Sequence, residues 1–536
     1  MYEMNNSPTQ SSSQLPPAMD LKPKYNDRES RIRNEALYFI GVSFLYGIFF
    51  TFCMYRNLFG ATFLLYVIAT VGVLCLFSQK INYKTNKETI IYFVLTILFG
   101  ISTCITANLL LQFFNWCFVI MLFLLAMISQ FFEKRDWNFG SYFIYLTRLF
   151  FSTIGYTFLP VSETFANLKN RKKMNHKRIV LILAGMFSAL AALFIIFPLL
   201  LSSDMIFRNM FDRLFSVFSL TKLFSNLGTI IGLFITFILG FTLIYAFFYA
   251  SCHAEYPEHP ERHIPHCHPI TGITFSTIIA TIYLLYSGIQ IIYLFAGTEL
   301  PDGITYSEYA HSGFWQLVIV ALINVCIVLG CMYLFSENIC LKLILTVISA
   351  CTYIMILSAA WRMYLYVKAY HLTFLRVLVF CSLAGLSIIM LGVILSIYIK
   401  KFPLVRFMIG VITCGYLVFS FAQPDYWIAK YNVSHIRHMS ASDLDYLLYG
   451  LSLDAALAIS EISTEQLSGE GFYDNEYINS DAGLYLTGGV NSSIYNYYKT
   501  IYENNKNLSF RKANYSRIRA RRIAYEKLRE LYNQNI

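Results

Sequence analysis

The stretch Phe113-Phe-Asn-Trp-Cys-Phe-Val-Ile-Met-Leu-Phe-Leu-Leu-Ala-Met-Ile-Ser-Gln-Phe-Phe132 carries no charge over the length, about 20 residues, that a helix needs to cross a bilayer. Runs like it recur along the chain. The 536 residues are 57% hydrophobic and 13% charged, against roughly 45–50% and about 25% in soluble domains, so a soluble fold is excluded. Eleven candidate spans follow, near 36–54, 58–77, 89–111, 113–132, 179–201, 228–250, 273–295, 315–335, 341–361, 374–399 and 404–422. The fold class is therefore all-α, a polytopic transmembrane helix bundle of about eleven spans with a soluble, mostly helical or irregular C-terminal tail.

Composition divides the rest. Residues 1–35 are a polar, basic arm too poor in apolar side chains to fold, and 36–135 hold the first four spans. Residues 136–178 form an amphipathic and basic cytoplasmic segment, 179–423 the remaining spans, and 424–536 the soluble tail. Within the third segment 139–159 reads as an interfacial helix, as does 203–219 beyond it, and the basic run 169–178 suits anionic lipid head groups or plain solvation. The tail is expected to hold helices near 443–460 and 511–531 but no large core of its own, because Gly- and Asn-rich stretches interrupt it.

Lys and Arg near span ends stay on the cytoplasmic side. A basic arm inside puts Lys80, Lys84, Lys87, Lys134, Arg135, Lys400 and Lys401 inside as well, and an odd span count puts the tail outside. The expected location is thus the cell membrane, with a cytoplasmic N-terminus and an extracytoplasmic tail. The net charge of +10 reflects this loop bias rather than nucleic-acid binding. Most of the twelve cysteines sit in apolar stretches and act as small hydrophobes.

Two constellations carry possible chemistry. Cys252, His253, His259, His263, His266, Cys267 and His268 crowd one short loop, but the spacing matches no zinc module and four prolines keep it irregular. A titrating surface loop accounts for it as well as a metal does. The second follows from topology: Asp302, Tyr306, Glu308 and Tyr309 share the outer face with Arg362, Tyr370 and Arg376, and Gln290 and Asn324 add intramembrane polar groups. They read either as a clasp of ion pairs and hydrogen bonds or as the lining of an outward-facing pocket. Walker, His-Glu-x-x-His, nucleophile-elbow and dinucleotide motifs are absent, so the commonest enzyme classes lose support and no cofactor is expected.

Leu300-Pro-Asp-Gly-Ile-Thr-Tyr-Ser-Glu-Tyr-Ala-His-Ser-Gly-Phe314 resembles the signature of an uncharacterised multi-pass bacterial membrane family, of the domain of unknown function 4173 type. Arg362, Tyr364, Tyr370, Leu372, Thr373 and Arg376 resemble its second motif, and Asp443-Leu-Asp-Tyr-Leu-Leu with Leu451-Ser-Leu-Asp-Ala its segment after the membrane. The likeness covers spans five to eleven and the start of the tail. His311 stands where that pattern has Arg, and His371 where it has a small residue. The resemblance implies a bacterial membrane protein and supplies no reaction. Three readings follow in order: an envelope-associated scaffold, sensor or accessory protein that binds an envelope protein or polymer; a transporter or channel; an intramembrane enzyme on a lipid-linked substrate.

Overall fold

A computed structural model describes residues 31–32, 35–132, 139–158, 227–253, 267–295, 306–399, 402–463, 466 and 489–534. The described residues are helical, without a named strand. In chain order the first eleven helices are α1 (Ala36–Met54), α2 (Ala61–Lys80), α3 (Lys87–Ile105), α4 (Leu109–Phe131), α5 (Phe139–Gly155), α6 (Leu227–His253), α7 (Pro269–Phe295), α8 (Tyr306–Leu334), α9 (Ile339–Tyr370), α10 (Phe374–Tyr398) and α11 (Leu404–Phe421). Among the described residues nine of these are long and apolar enough to cross a membrane, and the apolar stretch Tyr38–Met54 of α1 is shorter. This is a membrane-embedded protein. The expected span 179–201, the basic run 169–178 and the amphipathic stretch 203–219 lie outside the described residues.

Short connections force neighbours in the chain to run antiparallel. The α3–α4 connection is Thr106-Ala-Asn108, and Asn108 caps α4 by accepting from the amides of Leu110 and Leu111 at 2.9 and 3.1 Å. Where helices from distant parts of the chain meet, small residues let them close. Gly240 of α6 lies against the Phe50 ring of α1, where an added Cβ would meet the ring carbons.

Two apolar cores result. One gathers α1 to α6, with Phe77 stacked on Phe248 at 4.3 Å. The other gathers α7 to α10 around Val328, Ile348 and Met390. Helix α11 joins them: Val405 and Ile409 pack on the first, Leu404 and Met408 on the second. At its far end Ser420 accepts from the Ser102 hydroxyl at 2.6 Å and donates to Asn115 Oδ1 at 3.0 Å, which ties α11 to α3 and α4.

The described part of the tail forms α12 (Pro424–His435), α13 (Ala441–Asp445), α14 (Ala456–Ile459), α15 (Gly489–Asn505) and α16 (Tyr515–Gln534). Helices are found over 443–460 as expected, separated by a π turn at 446–450 and a 3-10 turn at 453–455. Ile428, Leu447, Leu448, Tyr498, Ile523 and Ala524 bury one another, although they are spread over almost a hundred residues. This third core is not self-contained, since Leu372, Phe374 and Val377 from the α9–α10 corner pack against it. We refer to it as the cap.

Candidate functional site

A helix ending in a three-residue connection leaves its last carbonyls without partners, and at the end of α3 the cap supplies them. Asn514 Nδ2 donates to the carbonyls of Thr106 at 2.6 Å and Thr103 at 3.2 Å, and Ser516 Oγ donates to that of Ile105 at 2.7 Å. The opposite polarity operates one residue on. Thr106 Oγ1 and the Ala107 amide donate to the two carboxyl oxygens of Asp454 at 2.5 and 2.8 Å. Asn108 Nδ2 and the Ser452 amide donate to Asp425 Oδ2 at 2.8 and 3.0 Å.

Both carboxyls are removed from water, Asp425 at 1% exposure and Asp454 at 4%, a burial that would be costly for an unpaired charge. Their place beside the N-terminus of α4, the positive end of its dipole, offsets part of that cost. Burial nonetheless pushes the Asp454 carboxyl above its ordinary value, and the Asp425 carboxyl adds to the rise. The hydroxyls of Ser516 and Thr106 and the Ala107 amide pull the other way and do not prevail.

A second contact lies at the α9–α10 corner. Asn432, 3% exposed, accepts from the Leu372 amide at 3.0 Å and donates to the Leu372 carbonyl at 2.9 Å, pairing with it as a strand neighbour would. Tyr446 Oη accepts from the Phe374 amide at 3.0 Å. The corner turns at His371, whose φ of 62° is one that only a residue without Cβ adopts freely. That explains why a small residue suits the position. Arg376 stabilises the turn by donating to the carbonyls of Tyr370, at 2.5 Å, and His371, with its guanidinium 4.0 Å from the Tyr366 ring centre.

A third contact joins the α1–α2 connection to the turn before α16. Arg511 donates to the Tyr55 carbonyl at 2.5 Å, while its own carbonyl accepts from Asn57 Nδ2 at 2.7 Å. The Ala61 amide donates to the Ala513 carbonyl at 2.8 Å. Gly60 permits this approach, for a Cβ there would collide with the Arg511 carbonyl. The connections after α1, α3 and α9 therefore share one face with the cap.

Part of the expected outer cluster lies among the described residues. Arg362 and Tyr370 lie within α9, which runs nine residues past its expected end because Trp361-Arg-Met-Tyr-Leu-Tyr contains no helix breaker. Tyr306, Glu308 and Tyr309 lie in the first turns of α8 with side chains outside the described residues, as does Asp302 altogether. Gln290 accepts from Ser358 at 2.5 Å and Asn324 Nδ2 donates to Thr352 at 2.8 Å, so each is used in holding its own helix to α9. Among the described members of the set, Arg376 donates to the Tyr370 carbonyl. Lys342 pairs with Glu337 at 3.2 Å and Arg406 with Glu88 at 2.9 Å.

Of the His-rich loop, Cys252, His253, Cys267 and His268 are described. His253 stacks on Tyr249 and meets Tyr156 edge-on, whereas the Cys267 amide donates to the Leu334 carbonyl at 2.9 Å. His259, His263 and His266 lie outside the described residues, and among those described no three His, Cys, Asp or Glu side chains converge as a metal site would require. A crevice of about 590 Å³ between α7 and α8 is lined by apolar groups such as Phe275, Leu322 and Phe335.

Asp425, Asn432 and Asn108 were not singled out by sequence, although each stands at or near the edge of an apolar run. Asp454 and Tyr446 fall inside the quoted segment after the membrane. A family model described as Domain of unknown function (DUF4153) matches residues 93–462, more than half of the chain. The chain belongs to that family. The resemblance to an uncharacterised family therefore holds, with DUF4153 in place of the 4173 type, and the match starts within α3 rather than at the fifth span. No curated protein and no solved structure matches the chain. The bonds of Asp454 and Asp425 to residues 106–108 and of Asn432 to Leu372 lie inside the DUF4153 match, while Arg511, Asn514 and Ser516 lie beyond its end.

Proposed function

We propose that this DUF4153 protein is an integral-membrane scaffold or sensor whose cap, on the extracytoplasmic side, receives an envelope partner. The observation that carries the reading is the cap's simultaneous hold on residues 106–108 of the first bundle and Leu372 and Phe374 of the second. Such a brace favours a fixed relation between the bundles over the rocking motion that alternating access demands. The embedded Gln290 and Asn324 support it too, being engaged with Ser358 and Thr352. Loop charges support this orientation: Lys80, Lys84, Lys87 and Arg406 belong to the end away from the cap, and the positive-inside bias favours a cytoplasmic place for such residues.

Complementation of a deletion strain under envelope stress tests the role. Trp427→Ala with Tyr449→Ala removes two exposed cap aromatics and should abolish complementation at unchanged protein abundance, while Gln290→Leu with Asn324→Leu should complement. The reverse pattern would favour transport and sink the scaffold. A cysteine at the exposed Ser442, in a background lacking the native twelve, should react with an impermeant maleimide on intact cells. Protection until lysis would overturn the orientation.

A further inference from the structure

We propose that residues 510–525 form a ledge that binds anionic phospholipid in the leaflet on the cap side. The inference rests on membrane embedding alone and stands whether or not the cap receives a protein.

Position comes first. The ledge is bonded to the tips of three apolar helices: Arg511 to Tyr55 and Asn57 beyond α1, the Ala513 carbonyl to Ala61 at the start of α2, and Asn514 and Ser516 to the last carbonyls of α3. A segment tied to helix tips lies at the depth of the lipid head groups.

Charge is the second observation. The stretch contains Arg511, Lys512, Arg517, Arg519, Arg521 and Arg522, six basic residues with no Asp or Glu among them. The first acids, Glu526 and Glu530, come later and pair with Arg522 and Lys527 at 3.0 and 2.8 Å. The Arg522 side chain is 83% exposed in its pair, and an ion pair so exposed contributes little, so it is readily exchanged for a phosphate.

The third observation is the shape of the exposed face. Ala520, Ile523 and Ala524 are buried in the cap core, which fixes one side of α16. On the other side Tyr515, Ile518, Arg522 and Tyr525 recur at three- and four-residue spacing, with the three apolar members 46–56% exposed, and Phe510 precedes them at 67%. Aromatic side chains interleaved with Arg at a membrane boundary match head groups and the upper acyl region together. A protein partner would not need the aromatics at the depth of the helix tips.

The full chain in mixed micelles, titrated with phosphatidylglycerol or phosphatidylcholine and read by native mass spectrometry, tests this. Lys512→Gln with Arg517→Gln and Arg522→Gln should weaken phosphatidylglycerol retention by on the order of tenfold or more, since each surface cation contributes about fivefold. Phosphatidylcholine retention should not change, and the Lys512→Arg, Arg517→Lys, Arg522→Lys variant should bind as the parent does. Unchanged phosphatidylglycerol retention in the Gln variant overturns the proposal. Independently of any variant's folding, a photoreactive phosphatidylglycerol analogue should label the parent within 510–525; labelling confined to other segments overturns it equally.

Discussion

Two of the cap's three attachments use opposite chemistries. At residues 106–108 the cap presents carboxyls to donors, and at Leu372 it presents an amide that both gives and takes. Both contacts answer the same need, satisfying backbone groups left open where a helix ends. They differ in what they make the attachment depend on. A neutral amide is indifferent to pH, whereas a buried carboxyl couples attachment to a proton. The contact at Leu372 is thus constitutive, while the part of the first bundle's hold that passes through Asp454 is conditional.

The sharpest way to break this contrast is Asp454→Asn. Asn has one acceptor oxygen where Asp454 uses both, and its NH2 would face the Ala107 amide or the Thr106 hydroxyl, leaving a buried donor unmatched. Cap attachment should weaken by about 3 kcal/mol, measured as faster native-state proteolysis after Arg511 or Lys512. The same variant should alter the pH response. The docked Asp454 holds its proton above the ordinary 3.8, so as pH rises the detached cap ionises first. Attachment therefore weakens through that interval and levels off once the docked carboxyl has ionised too. Thermal unfolding in micelles from about pH 3 to 7 should show this fall in the parent and a flatter profile in Asp454→Asn. An unaltered profile would mean that Asp454 is not the titrating group.

At the neutral contact Asn432→Ala removes two bonds to buried backbone and should cost about 2 kcal/mol, with the parent's pH profile retained. Tyr446→Phe, which removes only the acceptor for the Phe374 amide, should cost about 1 kcal/mol. If Asn432→Ala changed the pH profile as much as Asp454→Asn does, the division into neutral and titrating contacts would fail.

Hydrophobic length made the membrane helices legible, because a charge-free run such as 113–132 admits few other structures. The ends were less so. α9 continues through Arg362 and Tyr370 because nothing in that stretch stops a helix, and hydropathy alone marks where apolar composition ends, not where the hydrogen-bond ladder does. The cap was the least legible region. Tyr498 and Ile523 meet Ile428 across long separations, and no periodicity within one segment reports a core assembled from several. The attachment residues were hidden for a related reason. Asn, Asp and Ser beside apolar runs are the ordinary punctuation of helix ends, and only their pairing across more than three hundred residues, as between Asn108 and Asp425, distinguishes them.

The smallest effect tests whether depth alone makes a polar contact strong. Gln290 and Ser358 meet at 2.5 Å with both residues buried, Gln290 8% exposed, in a region where no water competes. Naive electrostatics would rank this bond above those of the cap. Yet the alternative to the native bond is a helix still in the bilayer, whose side chains find other partners, so such bonds average about 0.6 kcal/mol. Gln290→Leu, Ser358→Ala and the double variant, unfolded by a graded increase of denaturing detergent, should give a coupling near that value. A coupling of about 3 kcal/mol or more would put a polar attachment as strong as any in the cap inside the membrane and undo the order argued for the cap.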